Sequence, residues 1–589
     1  MPPVFISCHD MSSARIPYLT ALAAALGLIG GGAAWLLLHL IAVITNVALY
    51  HRVGWSLPPT STLEPGITLL PVAVAGGIIV AAMARVAPII RGHGIPEAME
   101  SILLRQSRIA PVTALFKPIS AAVAIGTGGP FGAEGPIIVT GGATGSLLGQ
   151  ILPVSPAERK ILLAAGAAAG MSATFGAPLA SVVLAFELLL FEFSRRALLP
   201  VATAAAVAAG VHYLLLDSGP LFAVPPHAIA GLGSLPGYAV LGLLCGGLAV
   251  VVVRGLLLVE HGFRRSGVPE FWHPAIGAVV FATVGLMVPR ALGVGYDVIG
   301  DALLANLGLR VALILLVGKL IAWWFALGSG TSGGTLAPML IVGSTFGTVV
   351  ALGTNDWTPV EVSITGFALV GMAASFGAAT GASLTSIVFV FELTQDYRIV
   401  LPLIVATVLA DVVADALLDD TLMTEKLTRR GVRVVRDYQA DPFVRQSVGD
   451  VMTAPALTVR ANTPIAEVMR YIAAGAHSAY PVVDDLGRCR GIISRTDLLA
   501  RSEAEPGPAV DVASQDVVTV APEASVAQAM ELLIDESVEH LPVVNGDGVV
   551  IGMCTRTDIL RARALQRTEE ERQGAGLLSS LIPSGRRRD

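Results

Sequence analysis

Charge is what this sequence has least of. Of its 589 residues, 14% are Asp, Glu, Lys or Arg and 54% are hydrophobic, with a mean hydropathy of +0.72; that balance excludes an ordinary soluble globular protein. Cysteine is almost as scarce. The four present, Cys8, Cys245, Cys489 and Cys554, are scattered and form no CxxC pair, so neither a disulfide framework nor a thiolate metal centre is expected. The segment that holds Cys489 and Cys554 reads as a reduced, cytosolic module. The net charge of −6 says little, because it averages two unlike regions: sparse charge from residue 1 to about 425, and mixed charge from 426 to 589.

What is there instead is long apolar runs. Pro17 to Tyr50 carries no charged residue and is too long for the hydrophobic region of a signal peptide, so a retained, tilted transmembrane helix is expected. Further apolar segments follow as far as residue 417, several of them too short to cross. A helix from Ile137 to Ile151 would span about 22 Å at 1.5 Å per residue, against a hydrocarbon core of about 30 Å. Helices that begin or end inside a membrane protein need their broken backbone buried or lining an aqueous path.

Between Arg108 and Glu158 the only charges are Lys117 and Glu134, and Glu134 lies in the stretch GTGGPFGAEGPI, residues 126 to 137. A carboxylate at membrane depth costs a few kcal/mol or more. Its surroundings repeat. FGAPLASVVLAFEL (175 to 188) recurs as TGASLTSIVFVFEL (380 to 393), pairing Glu187 with Glu392, and GAEGP (132 to 136) recurs as GTLAP (334 to 338). Lys117 and Lys319 each stand 15 residues before the first glycine of their motif. Paired Gly/Pro-interrupted segments in two halves of a membrane chain point to a midplane site between repeats. Residue identities alone leave open whether the halves are inverted.

Each glycine-rich stretch precedes an apolar helical segment, so its backbone N–H groups are unsatisfied donors at a helix N-terminus, where an anion fits. Glycine permits close approach, and Pro136 or Pro338 suits a first turn. GHGIPE (92 to 97) is a third such stretch. Three termini converging on one dehydrated anion would bind it firmly enough to strip its water and loosely enough to release it.

GHGIP, GAEGP and GTLAP in this order, followed by the FEL repeat, resemble the signature of the CLC chloride channels and proton-coupled chloride exchangers over about residues 17 to 430. The resemblance implies a polytopic all-α membrane fold with an internal two-fold repeat and broken helices. It assigns the gating carboxylate to Glu134 and the ion-binding positions to Gly92, His93, Gly94, Ile95, Gly135, Pro136, Thr335, Leu336, Ala337 and Met423. By the same resemblance, an ionised Glu134 would occupy an anion site and a protonated one would swing out and admit chloride.

The sequence departs from that family at several of these places. His93 stands where a serine hydroxyl is usual, which would make conduction acid-sensitive if its imidazole serves the anion. Met423 aligns with a tyrosine, and a thioether donates no hydrogen bond. Ala133 and Leu336 replace a usual arginine and phenylalanine without removing a backbone donor. Leu188 stands where proton-coupled members commonly carry an inner glutamate. Lys117 and Lys319 either set a field for anions or pair structurally, and Glu187 and Glu392 read as helix-end or interface residues.

Residues 477 to 499 and 538 to 560 align without a gap at a spacing of 61, pairing Pro481 with Pro542, Gly491 with Gly552 and Asp497 with Asp558. This closely resembles a tandem pair of cytosolic α/β CBS domains, at 447–503 and 511–565. By that resemblance Ser494, Asp497, Thr555 and Asp558 lie where an adenine nucleotide can bind, although [ST]-x-x-D before an apolar run is also a helix capping box. Residues 566–589 read as a disordered tail.

The reading is a voltage- or pH-gated chloride channel in the cell membrane, a homodimer with cytoplasmic CBS domains. The alternatives are a proton-coupled chloride exchanger and a nitrate- or fluoride-selective variant; from another class, a nucleotide-sensing membrane receptor that transports nothing. Chloride is the substrate, with protons if exchange operates, and the lipid bilayer is the surrounding partner. Neither an enzymatic reaction, a required cofactor, a metal nor a nucleic-acid partner is expected.

Overall fold

Apolar runs must satisfy their own backbone hydrogen bonds, which makes them helical. The computed structural model describes residues 8–191, 193–216, 219–222, 224, 232–357, 361–430, 446–474, 477–499 and 507–562; the expected tail at 566–589 lies outside them. The chain divides into two units, Met1–Tyr438 and Gln439–Asp589.

The first half of the membrane unit is α1 (Cys8–Tyr50), α2 (Leu69–Val86), α3 (Ile95–Leu104), α4 (Pro111–Gly126), α5 (Glu134–Ile151), α6 (Pro156–Phe175), α7 (Pro178–Leu184) and α8 (Arg195–Leu215). The second half is α9 (Leu235–Arg265), α10 (His273–Met287), α11 (Tyr296–Leu303), α12 (Leu309–Gly328), α13 (Leu336–Trp357), α14 (Ile364–Thr380), α15 (Ser383–Thr394) and α16 (Val400–Leu417), followed by the short α17 (Glu425–Arg429). Among the described residues seven helices are long and apolar enough to cross a membrane. The apolar part of the first, Arg15–Tyr50, would extend about 54 Å at 1.5 Å per residue. Helix α5 starts at Glu134 rather than at Ile137, because Pro136 fits its first turn and the glycines before it free the chain to enter the helix. It thereby gains a turn and still falls short of a full crossing.

The two halves pack alike. Helix α5 lies on α6 with Gly141 against Gly166, where an added Cβ would come within 2.1 Å of the opposing carbonyl oxygen. Helix α13 lies on α14 with Gly343 against Gly371, where the corresponding distance is 2.5 Å. Small residues thus let backbones touch in the absence of a hydrophobic drive between helices.

Glu187 and Glu392 turn out to be reciprocal helix caps. Glu187 accepts from the backbone N–H of Leu384 (3.2 Å) and Thr385 (2.8 Å) and from Thr385 Oγ1 (2.6 Å) at the start of α15. Glu392 accepts from the N–H of Leu179 (2.9 Å) and Ala180 (2.7 Å) at the start of α7. Glu187 lies just past the end of α7 and Glu392 in the last turn of α15, and each caps the beginning of the twin, so α7 and α15 run antiparallel. Equivalent helices of opposite direction mean that the two halves are inverted.

In the second unit, β1 (Val459–Arg460), β2 (Ala479–Val483) and β3 (Cys489–Ser494) form one sheet, and β4 (His540–Val544) and β5 (Val550–Thr555) another. The sequence spacing of 61 recurs in the register: Ala479 faces Ser494 as His540 faces Thr555, and each hairpin shifts register at the equivalent step, Val482/Val483 and Val543/Val544. Each repeat keeps its own core, around Val482 and Ile493 in the first and Val543 and Cys554 in the second.

Replacing Glu392 with Leu leaves two N–H groups of α7 without their acceptor. A loss of about 1–2 kcal/mol is expected, read as a lower melting temperature in detergent; an unchanged melting temperature would show that the cap stabilises nothing.

Candidate functional site

Four loops end in helix N-termini near the centre of the membrane unit. Gly92 and Gly94 have φ of +87° and +98°, a region that side-chain-bearing residues avoid, and they deliver the chain into α3 at Ile95 with Pro96 in its first turn. Lys117 of α4 donates to the carbonyl oxygens of Ile90 and Gly92, both at 2.7 Å. Its ammonium therefore braces the rear of the loop, and the structural alternative for this lysine is the one its contacts support.

Lys319 does the same in the second half, donating to the carbonyls of Ala291 (3.2 Å) and Gly293 (2.9 Å). That pairing exposes a fourth loop, Gly293–Val294–Gly295–Tyr296, the counterpart of Gly92–His93–Gly94–Ile95, with φ of +58° and +76° at its glycines. Sequence reasoning missed it. The legible signal was a second Gly-x-Gly at almost the same offset as the two lysines, without the proline that marks the other three.

Three of the loops are tied together by backbone bonds. The Gly132 N–H donates to the Gly334 carbonyl (3.3 Å), the Gly334 N–H to the Gly132 carbonyl (2.9 Å), and the Gly333 N–H to the Gly92 carbonyl (3.5 Å). A Cβ added at Gly135 would lie 2.1 Å from the His93 carbonyl oxygen. The expected convergence of Gly92, Gly132 and Gly334 is therefore present in the fold.

Glu134, fully buried, projects into this knot. Its Oε1 accepts a 2.6 Å hydrogen bond from the Tyr296 hydroxyl, and the carboxylate also meets the Ala337 backbone N–H in the first turn of α13. Oε2 has no partner; nor have Thr335 Oγ1 and His93 Nδ1, both buried. Leu336 and Ala337 open α13, and Pro136 completes the first turn of α5, all three buried. The His93 ring lies among Lys426, Glu97, Lys117 and the backbone of Leu422. Met423 follows directly and is fully buried.

Two cavities border the glycine loops, one at Gly92 and one at the fourth loop. One of about 880 Å³ is lined by Gly92, Glu97, Lys426, Arg91, Arg105 and Arg430 among others. Lys426 pairs with Glu97 at 3.2 Å, and Arg430 pairs with Glu100. Seven Lys or Arg against four Glu line it, an excess of positive charge that draws anions. The other cavity, of about 310 Å³, is lined by Gly293, Gly295, Tyr296 and Thr60. Gly92 thus faces one cavity, while Tyr296, bonded to Glu134, faces the other.

In the soluble unit both [ST]-x-x-D sequences form capping boxes. Ser494 Oγ donates to Asp497 Oδ2 (2.7 Å) and Thr555 Oγ1 to Asp558 Oδ2 (2.6 Å). They differ in setting: Thr555 and Asp558 line a cleft of about 480 Å³ with Thr453, His477, Tyr480 and His540, whereas Ser494 and Asp497 do not. Thr453 Oγ1 donates to the remaining Asp558 oxygen at 3.0 Å, and burial holds the His540 imidazole below its usual range.

Residues 75–415 match the family model described as "Voltage gated chloride channel", and residues 448–504 and 509–565 each match the CBS domain. The chain belongs to the voltage-gated chloride channel, or CLC, family. This CLC protein is 30% identical over 321 residues to the putative chloride channel protein ClcB-like of Ralstonia nicotianae, a match covering 54% of the chain and 75% of that relative. It is 30% identical over 372 residues to the H(+)/Cl(−) exchange transporter ClcA of Salmonella arizonae, covering 60% of the chain and 78% of the transporter. Its fold resembles that of a slow cyanobacterial Cl−/H+ antiporter, with a TM-score of 0.62 and 24% identity over 70% of this chain and 97% of the other. A eukaryotic CLC transporter aligns over 93% of this chain and 98% of its own, with a TM-score of 0.58 and 19% identity.

Gly135→Ala in this CLC protein forces a Cβ onto the His93 carbonyl and is expected to cost about 3 kcal/mol or more. Gly210→Ala in α8, with nothing within 4 Å of the added atom, is the control. Folded yield by size exclusion should collapse only for the first; equal yields and melting temperatures would mean that the loops are not in contact.

Proposed function

We propose that the chain carries chloride across the cell membrane through the meeting point of the Gly92, Gly132 and Gly334 loops, with Glu134 as the gate. The observation that carries this reading is a buried carboxylate with an unpartnered Oε2, in a knot of loops that also holds the buried and unpartnered Thr335 Oγ1 and His93 Nδ1. A monovalent anion fits that environment because helix N-termini supply partial positive charge without a full counter-ion. The ionised carboxylate occupies the place of the permeant ion; once protonated it loses its attraction to the N–H groups and withdraws.

In this reading Gly94, Ile95, Gly135, Leu336 and Ala337 offer backbone donors and Pro136 fixes a first turn. Gly92 sets the loop, His93 and Thr335 line the path, and Met423 closes it with an apolar surface. Passive conduction, opened by voltage or pH through Glu134, is favoured by Leu188, which leaves no carboxylate directly after the helix-capping Glu187. Exchange with protons is favoured by a different observation, the match to a relative named as an H(+)/Cl(−) exchange transporter. The chain acts as a homodimer with the CBS pair in the cytoplasm.

Purified protein in liposomes, with chloride and proton fluxes recorded together, separates the readings. Chloride flux without proton movement is the expected result, and a fixed ratio of the two selects exchange. Glu134→Gln should leave chloride flux high and insensitive to pH; flux indifferent to that substitution removes Glu134 as the gate. His93→Ser should alter the acid dependence, and identical flux at every pH would remove His93 from the path.

The CBS cleft is proposed to take an adenine nucleotide, with Asp558 turning from Thr453 to the ribose hydroxyls. Titration calorimetry with AMP on the full chain should give binding that Asp558→Ala weakens at least about tenfold, the loss of one charged hydrogen bond. Asp497→Ala should have no effect, and equal losses in the two variants would disprove this placement.

A further inference from the structure

Met423 leaves the centre without the hydroxyl that the family resemblance puts there, yet one phenol does reach the buried carboxylate, from the fourth loop. Tyr296 opens α11 behind Gly293 and Gly295, and Lys319 clamps the carbonyls of Ala291 and Gly293 directly before it. Its ring is wedged between Phe175, at a centroid distance of 6.4 Å, and Phe222, edge-on at 6.0 Å. The next residue, Asp297, is pinned by Thr60 Oγ1 (2.8 and 2.9 Å) and by the Ser61 N–H (3.0 Å). The phenol is therefore fixed by packing and backbone rather than by Glu134 alone.

We propose that the Tyr296 hydroxyl is a shared donor: it latches Glu134 in the closed position and, once the carboxylate has left, donates to the halide that takes its place. This rests on the gate reading above and adds to it a residue outside the three glycine–proline motifs. A phenol has one O–H and serves one acceptor at a time, so carboxylate and halide compete for it. Tyr296 also lines the cavity of about 310 Å³, so the residue bonded to the gate borders that cavity. From the elements packed around it Glu134 is faced by Tyr296 of α11 and Lys319 of α12, and Lys319 is in turn faced by Asp297.

Tyr296→Phe removes one oxygen and keeps both ring contacts. It is to be made in the full chain, alone and with Glu134→Gln, and reconstituted in liposomes. Alone, it should raise chloride flux at neutral pH several-fold and move half-maximal acid activation to higher pH, since a closed carboxylate that has lost its donor is released by less acid. In the Glu134→Gln background it should weaken chloride binding, read by calorimetry with sodium chloride, by about tenfold. A purely packing role predicts none of these changes. If Glu134→Gln alters flux while Tyr296→Phe leaves flux, pH profile and affinity unchanged, the latch is wrong and the gate stands. If Glu134→Gln itself changes nothing, the gate reading fails and the latching half of this inference fails with it. Should Tyr296→Phe not fold, 3-fluorotyrosine at the same position, a stronger donor of nearly equal size, must shift flux and affinity in the opposite sense; no shift would overturn the proposal.

Discussion

The membrane unit is organised around one constraint: a carboxylate buried away from water must be held by a donor, and here a phenol holds one of its oxygens beside the start of α13. Glu134 receives the Tyr296 hydroxyl at 2.6 Å and meets the start of α13. Helix N-termini can gather this tightly only if their loops carry no side chains at the contact, which is why Gly132, Gly135 and Gly334 stand there. A methyl group at Gly334 would lie 2.6 Å from the Gly132 carbonyl and 2.9 Å from Glu134 Oε2. The breaks in α5 and α13 that leave these N–H groups unsatisfied are tolerable because the loops bond to one another before any ion arrives.

Much of this was legible in the sequence, for reasons that can be stated. Proline after a Gly-x-Gly or Gly-x-x stretch marks a helix start, and three such marks located the loops around Gly92, Gly132 and Gly334. The fourth was missed because Tyr296 enters α11 without a proline, so only the two positive-φ glycines betray it. Both lysines were visible as a spaced pair, but their partners are carbonyl oxygens, which carry no residue signature. Glu187 and Glu392 were visible as a repeat. Their reciprocal capping depends on the antiparallel course of α7 and α15, a relation between distant segments that identities do not encode. In the soluble unit the duplication and its strands followed from a gapless spacing of 61. The difference between Asp497 and Asp558 did not, because only the folded repeats decide which capping box borders the cleft.

The placement of the two lysines bears on how an anion path stays fast. A full ammonium in contact with a halide at low dielectric would attract it by many kcal/mol, and conduction requires binding weak enough for departure. Lys117 and Lys319 avoid that outcome by spending their donors on carbonyl oxygens at the rear of the loops. Each ammonium offsets carbonyl dipoles that would repel an anion and ties down the rear of its loop. The forward face is then left with partial charges and neutral hydroxyls: the peptide dipoles, Thr335 and Tyr296. The same logic explains why the excess of basic side chains lies in the cavity of about 880 Å³, several of them already paired with glutamates, where water screens them. In the proposed reading, full charges would raise the local supply of anions in that cavity, and partial charges would handle them at the loops. If Glu134 is the proposed gate, it can compete on equal terms with a halide only in a site built from such partial charges, because a fixed cation there would hold either of them in place.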